Sequence, residues 1–138
     1  MKEELVSFST AKLAKEKGFN WKVLDTFASD GMPVSRYAVN EDGLESYITT
    51  GDEDYLEEVM ELSNSEMQSD FVARPTQSLL QKWFRDEKKI IIIVYNNPLG
   101  FSWEINKFNG ALIEGTDDSF PYYEESLEDC LHHSLKKL

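Results

Sequence analysis

The hydrophobic pattern of the chain changes period at residue 90. Before it, Leu79, Leu80, Trp83 and Phe84 are spaced to share one face of a 3.6-residue helix. Gln81, Lys82, Arg85 and Asp86 fall on the opposite side. Pro75 suits the first turn, where its missing N–H is not needed, and Thr76 or Ser78 can accept from the free amides there. Glu87 returns to the apolar arc, so the helix, placed over 77–88, should fray or end near it. Lys88 and Lys89 then supply cations at the negative end of the helix dipole. Ile90 to Tyr95 follow without a polar interruption. They are β-branched or aromatic, which suits a pleated strand. Because the run does not alternate, it predicts an inner strand with both faces covered.

Downstream the period is two. Phe101, Trp103 and Ile105 point one way, and Ser102, Glu104 and Asn106 the other. Asn109-Gly110 is a two-residue hairpin signal, because both residues tolerate positive φ. The three strands 90–95, 101–108 and 111–114 are therefore expected to form an antiparallel meander. The pattern returns to helical after Pro121. Tyr123, Leu127, Cys130, Leu131, Ser134, Leu135 and Leu138 share an arc of roughly 140°. Glu124, Glu125, Glu128 and Asp129 lie early and Lys136 and Lys137 late, as the dipole favours. This predicts a helix over 123–137, laid on the meander.

Upstream of residue 75 the signals are shorter. Ser9 reads as the N-cap of a helix over 10–17, with Phe8 and Leu13 as a hydrophobic staple and Gly18 past its end. Trp21 to Ala28 and Val34 to Val39 read as strands of a hairpin around Ser29-Asp30-Gly31, with Pro33 at a strand start or sheet edge. Residues 44–50 favour a short strand. Tyr55, Leu56, Val59 and Met60 have helical spacing after an acidic first turn, giving a helix over 53–62. Residues 63–70 read as a polar loop, and 71–73 as extended chain before Pro75. The expected fold class is α+β: an antiparallel sheet with a C-terminal three-stranded meander, packed by helices 10–17, 53–62, 77–88 and 123–137.

Length and charge add to this picture. A chain of 138 residues reads as one domain, 1–138, long enough to bury roughly two-thirds of its unfolded surface. The net charge of −12 is unevenly spread. Residues 41–70 hold 11 acids and no Lys or Arg, leaving 15 acids against 14 bases elsewhere. That segment is a candidate insertion and a candidate surface for a basic protein partner. It disfavours direct contact with nucleic-acid phosphates. A single cysteine, Cys130, excludes an internal disulfide. No apolar run approaches the roughly 20 residues of a membrane span, and MKEELVSFS lacks a signal-peptide core, so a cytoplasmic location is the default.

Candidate chemistry is sparse. His132 and His133 are the only histidines, and adjacent helical residues point about 100° apart. Both are expected at the solvated surface. Cys130 lies on the apolar arc and reads as a small hydrophobe. Asp52-Glu53-Asp54 fails the EF-hand pattern, since Leu56 stands at a ligand position. Asp117 and Asp118 read as a turn. There is no Walker loop, GxGxxG, GxSxG or paired CxxC. No catalytic, cofactor-binding or metal residue is assigned, and no cofactor. Trp83 and Trp103 read as core, whereas Tyr55, Phe120 and Tyr122 are aromatic residues expected near the surface.

Three stretches, STAKLAKEKGF (9–19), PTQSLLQKW (75–83) and YEESLEDCLHHSLKKL (123–138), resemble a family of small uncharacterised proteins of Bacteroides-type gut bacteria. Genes of that family often lie near phage or other mobile-element genes. The resemblance implies a bacterial, mobile-element setting and carries no activity or site residue. The resulting expectation is a non-enzymatic protein-binding or accessory protein of a mobile element. The alternatives are an acidic nucleic-acid mimic that inhibits a DNA-binding protein, and an enzyme of unidentified class.

Overall fold

A computed structural model describes residues 4–34, 36–39, 45–48, 61–67 and 69–138. Three helices and three antiparallel sheets account for the regular structure there. The fold is α+β, as the alternating periods predict.

Helix α1 spans Phe8–Glu16. Its cap is Ser7, two residues before the expected Ser9: Ser7 is extended, and its Oγ accepts from the Thr10 amide at 3.3 Å. Two serines stand in the SFST run, and the one whose backbone is extended takes the cap. Gly18 follows the helix at φ +95°, the left-handed conformation that closes a helix without a Cβ penalty.

The N-terminal sheet is small. Strand β1, Thr26–Phe27, lies between β2, Pro33–Val34, and β5, Val72–Ala73. The predicted hairpin is present, with Thr26 opposite Val34 and Phe27 opposite Pro33. Pro33 sits on the outer strand, where its missing N–H leaves no ladder bond unmade. The strand expected over 21–28 is reduced to these two residues plus a bridge between Val23 and Leu62. Strands β3, Arg36–Val39, and β4, Glu45–Ile48, form a separate hairpin.

Most of the helix predicted over 53–62 lies outside the described residues. Leu62 itself is extended, bonded to Val23 through both backbone groups at 2.9 Å, so no helix reaches it. The expected loop 63–70 is polar but not all exposed. Asn64 is buried; its Nδ2 donates to Phe19 O at 2.7 Å and its Oδ1 accepts from Ala73 N at 2.8 Å. One carboxamide thus satisfies two backbone groups, the Phe19 carbonyl and the Ala73 amide on the outer side of β5. Asn64→Ala is expected to lower stability by about 2 kcal/mol, because it leaves a buried donor and acceptor unpaired. Urea unfolding followed by circular dichroism would read this as a lower midpoint at unchanged slope.

Helix α2 spans Gln77–Trp83, capped by Thr76 Oγ1, which accepts from the Leu79 amide. The single helix expected over 77–88 is interrupted: Phe84–Lys88 widen into a π turn, closed by the Lys89 N–H on Phe84 O. Lys89 has φ +57°, where glycine is usual. Its ammonium donates to Asp86 O at 2.9 Å, holding the last turn together. The wide turn keeps Leu80, Trp83 and Phe84 all buried, with the Phe84 ring 5.2 Å from Trp83.

The C-terminal sheet is the predicted meander: β6, Ile90–Asn97; β7, Gly100–Lys107; and β8, Leu112–Gly115. The order is β6-β7-β8, which corrects the expectation for the isoleucine run. β6 is the end strand, and β7, the one with clean alternation, is central. Trp103 and Ile105 of β7 are buried, as is Ile92 of β6, while Tyr95 is 42% exposed. Absence of polar residues did not imply cover on both faces. Much of any folded surface is apolar, so a half-buried isoleucine such as Ile91 or Ile93 is tolerated where a buried charge is not. Helix α3, Tyr123–Lys136, lies on the inner face of the meander and beside α1 and α2. Leu127, Cys130, Leu131 and Leu135 complete the core from that side. Among the described residues, no helix is long and apolar enough to cross a membrane.

Candidate functional site

The feature with the most convergent polar groups is a groove of about 590 Å³. One wall is residues 4–10, held against the start of α2 by Val6 N on Pro75 O and Gln77 N on Glu4 O. The other wall is the first half of α3, with Phe120 before it. Its carboxylates are Glu4, Glu124, Glu125, Glu128 and Asp129; its basic residues are Arg74 and His132.

These acids divide by role. Glu128 is structural. Its Oε2 accepts from Ser7 N–H at 3.2 Å and Ser7 Oγ at 2.9 Å, and its Oε1 from Gln77 Nε2 at 3.2 Å. It therefore ties α1, α2 and α3 at one point. Asp129 Oδ2 accepts from the Trp103 indole at 2.8 Å, joining α3 to β7. Glu4, Glu124 and Glu125 are exposed at the groove. Helix-dipole attraction accounts for Glu124 and Glu125 in the first turn of α3. It does not account for Glu4, which lies on a separate extended segment. Arg74 lines the groove but is engaged by its own chain: its Nε donates to Val6 O and its guanidinium lies 4.6 Å from the Phe27 ring centre.

Phe120 is the aromatic residue of the groove, and two exposed tyrosines follow it in the chain. Phe120 pairs with Phe101 through both backbone groups at 2.8 Å, fixing the loop that precedes α3. Tyr123 is 40% exposed and meets the Phe101 ring edge-on at 5.9 Å. Tyr122 is 64% exposed. The surface expectation thus holds for Tyr122, and Phe120 is half-buried; Tyr55 lies outside the described residues.

Neither histidine is simply solvated. His132 is half-buried, with Nδ1 3.1 Å from Thr10 Oγ1, which itself is fully buried. His133 donates from Nε2 to Glu114 Oε2 at 2.9 Å, and its ring lies 5.2 Å from Trp103. Lys137 reaches the same Glu114 oxygen. Hydrogen bonds from Lys137, then from His133, hold the Glu114 carboxyl below its ordinary range. The two rings point to different neighbours, α1 and β8, so they share no metal.

Cys130 is buried, and desolvation pushes its thiol up to about 12. A thiol so far from its thiolate is no nucleophile at neutral pH. Asp117 and Asp118 are exposed in a turn whose Asp118 amide donates to Thr116 Oγ1. Asp52-Glu53-Asp54 lies outside the described residues. Among the described residues, no three His, Cys, Asp or Glu side chains are grouped to hold a metal ion. Of the acidic segment, Glu66 is bound: Ser63 N–H and Oγ both donate to it and lower its pKa, the amide contributing most. Glu61 and Asp70 are exposed.

The groove has no local sequence signature. Its walls come from residues 4–10, 74–77 and 120–132, and only Glu124, Glu125, Glu128 and Asp129 are visible together as a charge run. Scanned against protein-family models, curated proteins and solved structures, the chain matches none of them significantly.

Proposed function

We propose that the protein is a non-enzymatic binding or accessory protein that holds a basic segment of another protein. The reading is supported by one observation above the rest: three exposed carboxylates from two separate elements, Glu4, Glu124 and Glu125, border one groove, with exposed Tyr122 next along the chain from Phe120 and Pro121. Carboxylates attract Lys and Arg, and tyrosine faces add cation–π contact. The acids of 41–70 give the partner a wider field of the same sign and would speed its approach. A mobile-element setting rests on the resemblance of 9–19, 75–83 and 123–138 alone.

Titration calorimetry with a short Lys- and Arg-rich peptide tests the reading. Binding should weaken as salt is added. The charge-reversed E124K/E125K variant, altered only at exposed positions, should bind about tenfold more weakly or worse. Affinity that ignores both salt and charge reversal, or no binding by the unaltered chain, would reject it.

A further inference from the structure

Among the described residues the end strand of the meander has no strand along one side, where only the Gln81 side chain of α2 reaches it. Phe101 bonds through both backbone groups to Phe120, Trp103 O accepts from Thr116 N, and Lys107 N donates to Ala111 O. Odd-numbered residues of β7 therefore bond away from β6. Ser102, Glu104 and Asn106 are left to bond toward β6, where they stand opposite Tyr95, Ile93 and Ile91. It follows that Ile90, Ile92, Val94 and Asn96 aim their N–H and C=O groups outward. The Gln81 carboxamide confirms the direction, since its Nε2 donates to Ile92 O at 2.9 Å from helix α2. Among the described residues no strand pairs with this edge.

Natural edges are guarded by charges, prolines or bulges. From Ile90 to Asn97 there is no charged residue and no proline, and the ladder to β7 runs unbroken over eight pairs. The charges stand at its two ends and are opposite in sign. Exposed Lys88 and Lys89 precede Ile90. At the far end the Asp117–Ser119 turn lies beside Asn97: Asn97 Nδ2 donates to Ser119 Oγ at 3.3 Å, and Ser102 Oγ to Asp118 O at 2.8 Å.

We propose that β6 pairs antiparallel with β6 of a second copy of this chain, across a two-fold axis at Ile93. That register uses the whole edge. It joins Ile90 to Asn96 and Ile92 to Val94 of the second copy, with the Val94 N–H replacing Gln81 on Ile92 O. On the open face Ile93 meets its own equivalent and Ile91 meets Tyr95, pairings that stabilise antiparallel strands. Lys89 falls opposite Asn97 of the second copy, beside its Asp117 and Asp118. The two-fold makes this charge match twice. The two meanders become one six-stranded sheet.

Sedimentation velocity on the full chain over a range of concentrations tests this, at moderate salt to screen the −12 net charge. A concentration-dependent dimer is expected. Val94→Pro removes one outward N–H and no bond to β7, and should leave a monomer with an unchanged circular dichroism spectrum. Ile93→Cys should give a disulfide-linked dimer under oxidation, because Cα atoms at an unbonded antiparallel pair lie about 4.5 Å apart, within disulfide reach. D117K/D118K should weaken the dimer about tenfold, and adding K88E, which leaves the Lys89–Asp86 bond in place, should restore part of the loss. If Val94→Pro fails to fold, the cysteine and charge-swap variants decide. A monomer at every concentration overturns the proposal. So does a dimer that Ile93→Cys fails to cross-link and that the charge swap leaves unchanged.

Discussion

Phe84→Ala is expected to remove about 3–5 kcal/mol of stability, the cost of deleting a large, fully buried ring that its surroundings cannot collapse to replace. The site is held from several sides. Phe84 starts the π turn, its carbonyl accepts the closing Lys89 amide, and its ring meets Trp83 edge-on. Trp83 in turn meets Phe19 at 5.6 Å, so the void would open at the junction of α1's end and α2. Folded domains keep only about 5–15 kcal/mol in total. The variant should therefore unfold at a far lower denaturant midpoint, and its near-ultraviolet circular dichroism should lose the signal of packed tryptophan. A loss below about 1 kcal/mol would mean that the π turn relaxes into an ordinary helix end and fills the space.

Gly100→Ala should cost about 3 kcal/mol, from two sources that a second variant separates. Gly100 has φ +133°, and a Cβ built there would lie 2.2 Å from Phe120 O. That oxygen belongs to the Phe101–Phe120 bridge, so the chain before α3 would have to move as a unit. Gly110 also has positive φ, +86°, with nothing within 4 Å of an added Cβ. Gly110→Ala should therefore show the backbone strain alone, about 1 kcal/mol. Hydrogen exchange gives the local signature. The Phe101 and Phe120 amides should exchange faster in Gly100→Ala and be unchanged in Gly110→Ala. Equal losses in the two variants would show that the approach of Phe120 has no energetic weight.

How much of this could be read from residues alone depended on the range of the interaction. The meander and α3 were legible because their signals are local: strict alternation in 101–107, Asn109-Gly110 at a turn, and carboxylates ahead of lysines on one helix. The position of β6 was not. An unbroken apolar run says that no polar group must be solvated, but sheet order depends on partners far along the chain. The π turn at 84–88 also escaped: Glu87 and the two lysines after it mark a helix end, but nothing local marks a widened turn before it. A left-handed lysine held by Asp86 O is a tertiary solution in a place where glycine is the usual one. Asn64 reads as part of a polar loop, and Glu128 as one of the acids that the helix dipole favours early in α3. Each proved to be a bridge, and bridging is set by what lies opposite. The groove was illegible for the same reason, since Glu4 and Glu125 are neighbours only after folding.

The junction at Glu128 has a consequence for biosynthesis. Ser7 and Thr10 are fastened to Glu128 and His132, across separations of 121 and 122 positions. Helix α1 is translated well before α3, the helix that fastens it. The contacts of the amino-terminal region with α3 must wait until residues around 130 have cleared the exit tunnel. Such long closures slow folding and lengthen exposure to aggregation. Until α3 arrives, α1 has only its contacts with Phe27, Ser69 and Phe71 to hold it, and it stays more open to proteases and chaperones.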